Sequence, residues 1–149
     1  MKLLLLSCLA LSLFSSAKAQ LKIGDKYKGG KIAYILKDGD KGYVPGVQHG
    51  LIAALADLGE FKWDSAKHMC SEYLGGKYKD WRLPNTDELD YLYVNRDTIG
   101  GFANGIYWSS SDIFDTNVYY QIFSHDIGSG IKYFGLKDER YHVRAVRSF

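Results

Sequence analysis

The sequence predicts an α+β domain, and three observations carry that reading. Apolar residues recur at helical spacing in two stretches, about residues 63–74 and 86–96. From Gly100 onward that period disappears, and short Tyr-, Val- and Ile-bearing runs alternate with turn residues. The chain carries 16 Gly and 12 Tyr but only 2 Pro among its 149 residues, which suits a fold with many turns and much β structure. Strands, two helices and a terminal β meander follow one another with no repeat, low-complexity tract or linker, so one unit is expected.

The first 19 residues read as a removable export signal. Met1-Lys2 precedes an apolar run from Leu3 to Phe14, and Ser15-Ser16-Ala17-Lys18-Ala19 forms a small-x-small cleavage site. The run is too short for the roughly 20 apolar residues of a membrane span, so no transmembrane segment is expected. Leu6-Ser7-Cys8 weakly resembles a lipoprotein box, but cleavage there leaves too little apolar core upstream. Cleavage near Ala19 leaves a domain of residues 20–149, secreted to a periplasm, a cell surface or the exterior. The formal charge of +2 resides in Lys2 and Lys18, leaving 17 basic and 17 acidic residues in balance. A neutral chain lacks the basic excess that drives phosphate-backbone binding, so no nucleic-acid partner is expected.

Residues 20–30 form a polar lead-in ending in Gly29-Gly30. Lys31 to Lys37 reads as a strand and 38–42 as a turn; Gly42 to Val47 and Leu51 to Ala56 are two further extended runs. The first helix spans about Trp63 to Leu74 and stops at Gly75-Gly76. Its stripe of Trp63, Ala66, Cys70, Tyr73 and Leu74 places the one cysteine outside the signal on the core side, as an inert thiol. Pro84 then precedes a second helix over about 86–96, where Asn85 caps and Glu88 returns a bond to the cap amide. Four strands follow, over Ile106–Ser111, Thr116–Ser124, Gly130–Phe134 and Tyr141–Arg147, with turns at Asn104-Gly105, 126–130 and 137–139.

Several blocks are distinctive as sequence. They are Gly75-Gly76, Trp81-Arg82-Leu83-Pro84 with Glu88-Leu89, Tyr107-Trp108-Ser109-Ser110-Ser111, and Val143-Arg144-Ala145-Val146-Arg147. Upstream stand Gly29-Gly30-Lys31-Ile32-Ala33-Tyr34, His49-Gly50-Leu51-Ile52-Ala53 and Asp57-Leu58-Gly59. In this order they resemble the C-terminal domain of bacterial collagen-like surface adhesins, the Lcl C-terminal family, over essentially the whole chain after the signal. The resemblance implies a C-type-lectin-like fold, two helices packed on a small, mostly antiparallel sheet with a loop-rich binding face. It also implies surface binding, in some members to sulfated polysaccharides. The Gly-X-Y stalk of the adhesins is missing from this sequence.

Most of the conspicuous residues are expected to be architectural. Trp81, Leu83 and Trp108 read as core, Pro84 and Glu88 as the helix start, and Arg82 as a charge held by a carboxylate or loop carbonyls. Arg144 and Arg147 are read in the same way. A hydrolase reading of Ser109 with His125 and Asp126 lacks an orienting arrangement, because neighbouring side chains on a strand point to opposite faces. The four histidines are scattered, and Asp38-Gly39-Asp40 lacks the remainder of a calcium loop, so no metal ligands are assigned. The Glu-Pro-Asn, Gln-Pro-Asp and Trp-Asn-Asp signatures of calcium-dependent lectins do not occur. Arg82-Leu83-Pro84 also resembles a tract of formylglycine-generating enzymes, whose chemistry needs active-site cysteines that a lone Cys70 does not supply.

The expectation is therefore a non-enzymatic binding domain without a cofactor. Its ligand-binding candidates are Asp112, Phe114, Asp115, Asn117, Tyr119, His125, Asp138, Arg140 and Tyr141, which pair flat aromatic faces with hydrogen-bonding groups in the later loops. Extracellular polysaccharide or glycoconjugate is the expected partner, bound without calcium. An envelope protein bound on the same face is the alternative.

Overall fold

Residues 19–126 and 128–149 are described by a computed structural model; the predicted signal segment up to Lys18 lies outside the described residues. The first sheet contains β1 (Lys26–Tyr27), β2 (Gly30–Ile35), β3 (Gly50–Ala53) and β9 (Val146–Ser148), in that order. The second has the order β4 (Gly59–Phe61), β8 (Tyr141–Val143), β5 (Ile106–Asp112), β6 (Asn117–Ile122) and β7 (Lys132–Leu136). Every pairing is antiparallel except β5 with β8. Three short helices, α1 (Trp63–Glu72), α2 (Thr86–Val94) and α3 (Arg96–Ile99), complete an α+β domain.

The second helix forms for the local reason read from the sequence. Asn85 accepts from the Glu88 amide at 2.8 Å, and Glu88 accepts from the Asn85 amide at 2.9 Å. Together these satisfy two of the backbone donors that a helix start leaves open. Asn95 interrupts the helix: its side-chain amide donates to the Tyr91 carbonyl at 3.0 Å and to Ala33 of β2 at 3.1 Å. The chain then turns once more as α3, so three helices stand where two were expected.

Other boundaries also differ. α1 ends two residues early, because Tyr73 turns to the extended region and packs edge-on against Trp81, leaving Leu74 exposed. Residues 42–47 form turns with a single Val44–Val47 bridge, not an extended run, since left-handed Gly42 and Gly46 break the strand on either side. The lead-in contributes β1, and β4 was not foreseen.

The largest correction is that two sheets replace one, and residues 141–147 are the reason. All five residues from Val143 to Arg147 are buried, so the tract has no solvent face and cannot be one strand of a half-exposed sheet. Val143 ends β8 in the second sheet, while Val146 begins β9 in the first. Between them the Ala145 carbonyl accepts from Ala54 at 2.9 Å. Arg82 and Val146 then exchange two backbone bonds of 2.9 Å, which docks the Trp81–Pro84 segment against the first sheet.

The two glycine pairs of the sequence meet in space. A side chain on Gly29, whose φ is +88°, would run into the Gly75 carbonyl, and one on Gly76 would run into the backbone of Gly29. Only backbone fits between Gly29 and Gly76, while Gly30 and Gly75 abut the Ala53 carbonyl and the Tyr73 ring. The core divides between a cluster around Trp63, Trp81 and Trp108 and another around Leu89, Leu92, Tyr107 and Phe123.

Candidate functional site

Two buried arginines, Arg144 and Arg147, form the polar interior, and a third, Arg82, lies exposed beside it. Arg144 has a fully buried side chain and donates to Asp57 at 2.6 Å, to the Ala54 and Gly100 carbonyls at 3.0 and 3.3 Å, and to the Gly101 carbonyl. Asp57 also accepts from the Tyr107 hydroxyl at 2.5 Å, and burial first, then this bond, pushes the phenol well above its ordinary range. Arg147 grips Asp80 with two bonds of 2.8 and 3.0 Å and lies 3.8 Å over the Tyr78 ring. Arg82, nearer solvent, makes a bidentate pair with Glu88 at 2.6 Å, and the Glu88 hydrogen bond raises its pKa. Trp81 donates to the Gly75 carbonyl at 3.0 Å, Leu83 and Pro84 are buried beside it, and Trp108 donates to Phe61 at 2.7 Å. All of these groups are paired within the protein, Arg82 while still partly open to solvent, and are positioned to hold the fold.

An aromatic set that runs from the core to the surface is built on the second sheet. Register aligns Trp108 of β5 with Tyr120 of β6 and Tyr133 of β7, so the three side chains share one face. Tyr141 of β8 joins them. Ring centroids stand 4.3 Å apart for Trp108–Tyr141, 5.1 Å for Tyr120–Tyr141 and 6.3 Å for Tyr120–Tyr133. Burial falls along the row, from Trp108 at 1% exposed to Tyr133 at 50%. Gly135 leaves the space that the Tyr120 ring and the Tyr141 hydroxyl occupy; a Cβ there would lie 3.1 Å from Tyr120 and 3.4 Å from Tyr141. Burial is the main cause raising the pKa of Tyr120 and of Tyr141, with neighbouring Tyr133, Tyr120 and Glu139 adding to it, so both phenols stay protonated donors at neutral pH.

Cations also collect around Trp63 of α1. The start of α1 packs on the same sheet, and the Trp63 indole donates to the Ser109 carbonyl at 2.7 Å. Lys67 and Lys137 place their ammonium groups 3.5 and 4.6 Å from the Trp63 ring centroid, a favourable distance for a cation against a π face. Lys67 is shared with Asp64 at 3.0 Å, and Lys62 pairs with Asp138 at 2.9 Å. Arg140 is exposed and donates to the Glu60 carbonyl at 2.7 Å.

The nine residues proposed from sequence do not form one surface. Asp138, Arg140 and Tyr141 lie in or beside the cluster just described. Phe114 and Asp115 lie in the β5–β6 turn, between Asp112 at the end of β5 and Asn117 at the start of β6, and the turn is tied to the β7 end by a 3.0 Å bond from the Lys137 amide to the Thr116 carbonyl. Tyr119 points to the opposite face of β6 from Tyr120, opposite Phe134. His125 lies past the other end of β6, in a cleft of about 270 Å³ with Arg96, Phe102 and Phe123. Sequence reading missed Tyr120, Tyr133, Gly135, Lys67 and Lys137. The alternation of Val118 with Tyr120 and of Tyr133 with Gly135 carried the signal, but only the cross-strand register puts those pairs on the face of Trp108.

The serine tract serves the fold here. Ser109 is buried and accepts from the Ser111 amide at 2.9 Å. Cys70 is buried as well, and desolvation pushes its thiol up to about 12. Among the described residues no group of three or more His, Cys, Asp or Glu is placed to hold a metal ion, and no helix is long and apolar enough to cross a membrane.

No curated protein matches the sequence at a significant level. A family model described as the Lcl C-terminal domain matches residues 43–147, which include the tryptophan–arginine motif, the serine strand and the C-terminal arginine tract. The Gly29–Tyr34 block lies outside that match, although its β2 pairs directly with β3. The match covers more than half of the chain, which therefore belongs to the Lcl C-terminal domain family.

Proposed function

We propose that this is an exported, non-enzymatic domain of C-type-lectin-like character that binds extracellular anionic polysaccharide, without calcium, on the tyrosine row of the second sheet. One observation carries the reading: Tyr120, Tyr133 and Tyr141 form a graded aromatic cluster on the second sheet, Arg140 is adjacent in sequence to Tyr141, and Lys67 and Lys137 lie on Trp63, which is itself bonded to β5 of that sheet. Sugar rings present flat C–H faces that stack on aromatic rings, and phenols and guanidinium groups donate to hydroxyl or sulfate oxygens. Rigid tyrosines provide such area at low entropy cost. The residues that could suggest hydrolysis or redox chemistry, Ser109 and Cys70, are buried in packing roles, which supports a binding function.

The test is binding of the exported protein to immobilised heparin, dextran sulfate and uncharged dextran, with and without chelator. Retention on the sulfated polymers that persists in chelator and is lost on Arg140→Ala supports the proposal. Absence of binding by folded protein, or binding abolished by chelator, overturns it.

A further inference from the structure

Strand β7 is an edge, and it is an unusually apolar one. Among the described residues it has β6 as its one neighbour in the sheet. The Ile122 amide donates to Ile131 at 3.1 Å and the Lys137 amide to Thr116 at 3.0 Å. Antiparallel alternation then turns the odd-numbered residues of β7 toward β6 and directs the backbone groups of Lys132, Phe134 and Leu136 outward. The Leu136 carbonyl is taken by Glu139 at 3.1 Å, so the free outward groups are both from Lys132, both from Phe134 and the Leu136 amide. Ile131, Tyr133, Phe134 and Leu136 are 45–59% exposed, and Phe114 in the adjoining turn is 72% exposed. Soluble proteins ordinarily protect such an edge with charge, proline or a bulge. Its one charged strand residue, Lys132, is already paired with Asp90 of α2.

We propose that this edge pairs with β7 of a second copy of the chain, antiparallel, about a two-fold axis at Phe134. The strand is complementary to itself in that register. Phe134 faces Phe134, Lys132 faces Leu136, and Tyr133 faces Gly135, where the chain's own Tyr120 and Tyr141 already fill the space above the glycine. Two backbone bonds form between the Phe134 residues, and one forms from each Leu136 amide to the opposing Lys132 carbonyl. No like charges are brought opposite each other, and Lys132 keeps Asp90. The contact is isologous, so it closes at two copies and leaves no further edge of its kind. A continuous ten-stranded sheet results. Its two-fold axis runs normal to the sheet, so both tyrosine rows fall on one side, as a double platform for a long polymer.

Analytical ultracentrifugation of the exported protein without ligand, after removal of the signal segment that carries Cys8, tests the pairing independently of polysaccharide binding. The expected result is a concentration-dependent monomer–dimer equilibrium. Phe134→Glu, which sets two carboxylates against each other on the axis, should shift it to monomer. As a second variant, Phe134→Cys should cross-link to a dimer under mild oxidation, because Cα atoms about 5.5 Å apart in a hydrogen-bonded pair lie within disulfide range; Phe114→Cys, off the strand, should not. Cys70 is buried and does not compete. A protein that stays monomeric at every concentration, or a Phe134→Cys protein that fails to cross-link, overturns the proposal.

Discussion

The arginine-held interior and the tyrosine-lined face of the second sheet use the same pair of chemical groups. In the interior, Arg144 lies 4.0 Å over Phe102 and Arg147 lies 3.8 Å over Tyr78. On the face, Lys67 and Lys137 lie against Trp63. The difference is in what completes each group. Arg144 and Arg147 also hold Asp57 and Asp80, and Arg144 donates to three loop carbonyls as well. On the face, Tyr120 packs edge-to-face with Tyr141 and tilted against Tyr133, and only Tyr133 is half exposed. Cation and ring hold the fold where nearly all donors are answered from within it, buried Arg147 Nη1 excepted, and would form the proposed recognition surface where some are left to solvent. Substitutions should therefore separate the two regions by whether they change stability or binding.

Arg144→Ala should have the largest effect. It leaves the part-buried Asp57 without its cation and frees the loop carbonyls of Gly100 and Gly101, and breaking a buried pair from one side costs ~3–5 kcal/mol. Domains of this size have only ~5–15 kcal/mol in total. Urea unfolding should show a midpoint far below that of the parent. A loss under ~1 kcal/mol would remove the distinction between the regions.

Trp81→Ala should follow closely. The indole is 2% exposed, donates to Gly75 and packs edge-on with Tyr73, and truncating a buried tryptophan costs ~3–5 kcal/mol. Because Gly75 and Gly76 abut Gly29, the damage should spread to the β1–β2 hairpin. Amide exchange checks this: protection should fall at Gly30 to Ile35 as well as around residue 81.

A smaller, pH-dependent effect comes from Asp80. Its hydrogen bonds from Arg147 hold the carboxyl below the usual carboxylate range. A carboxyl depressed by folding stabilises the native state above its unfolded pKa, roughly 3.9, and that contribution disappears as pH falls through the folded value. The carboxylate is more than half exposed, so solvent screens much of the gain. Thermal melts between pH 6 and pH 3 should show the Asp80→Asn protein losing less stability on acidification than the parent.

The two regions also differed in how far the sequence disclosed them. The Asn85–Glu88 capping box closes over four residues, so the second helix could be read at once. Arg82 and Glu88 likewise meet six residues apart. Arg144 could be recognised as a charge needing a partner, but Asp57 lies 87 residues away and nothing local names it. The tyrosine row is less legible still. Its members come from three strands, and a shift of one residue in any pairing would turn a ring to the other side of the sheet. For the same reason Tyr119, adjacent to Tyr120, and His125, a few residues on, were grouped with residues they do not face. The division of 141–147 into two strands rests on burial of both faces, which alternation patterns do not reveal.

Tyr133→Ala should have the smallest effect on stability and a decisive one on binding. Tyr133 is 50% exposed, has a ring neighbour in Tyr120 at 6.3 Å, and lies on an edge strand whose backbone bonds to β6 do not depend on its side chain. Surface truncations of this kind usually fall within ~0.5 kcal/mol. A ligand ring stacked on Tyr133 would lose most of its contact area, so retention on sulfated polymer should drop sharply while the melt stays in place. Tyr133→Phe keeps the ring and removes only the hydroxyl. Its behaviour divides the two contributions: unchanged retention assigns the shelf to stacking, and loss equal to that of alanine assigns it to the phenol as a donor. A melt that falls as far as that of Trp81→Ala would show that Tyr133 belongs with the interior, and that the boundary between the two regions runs outside β7.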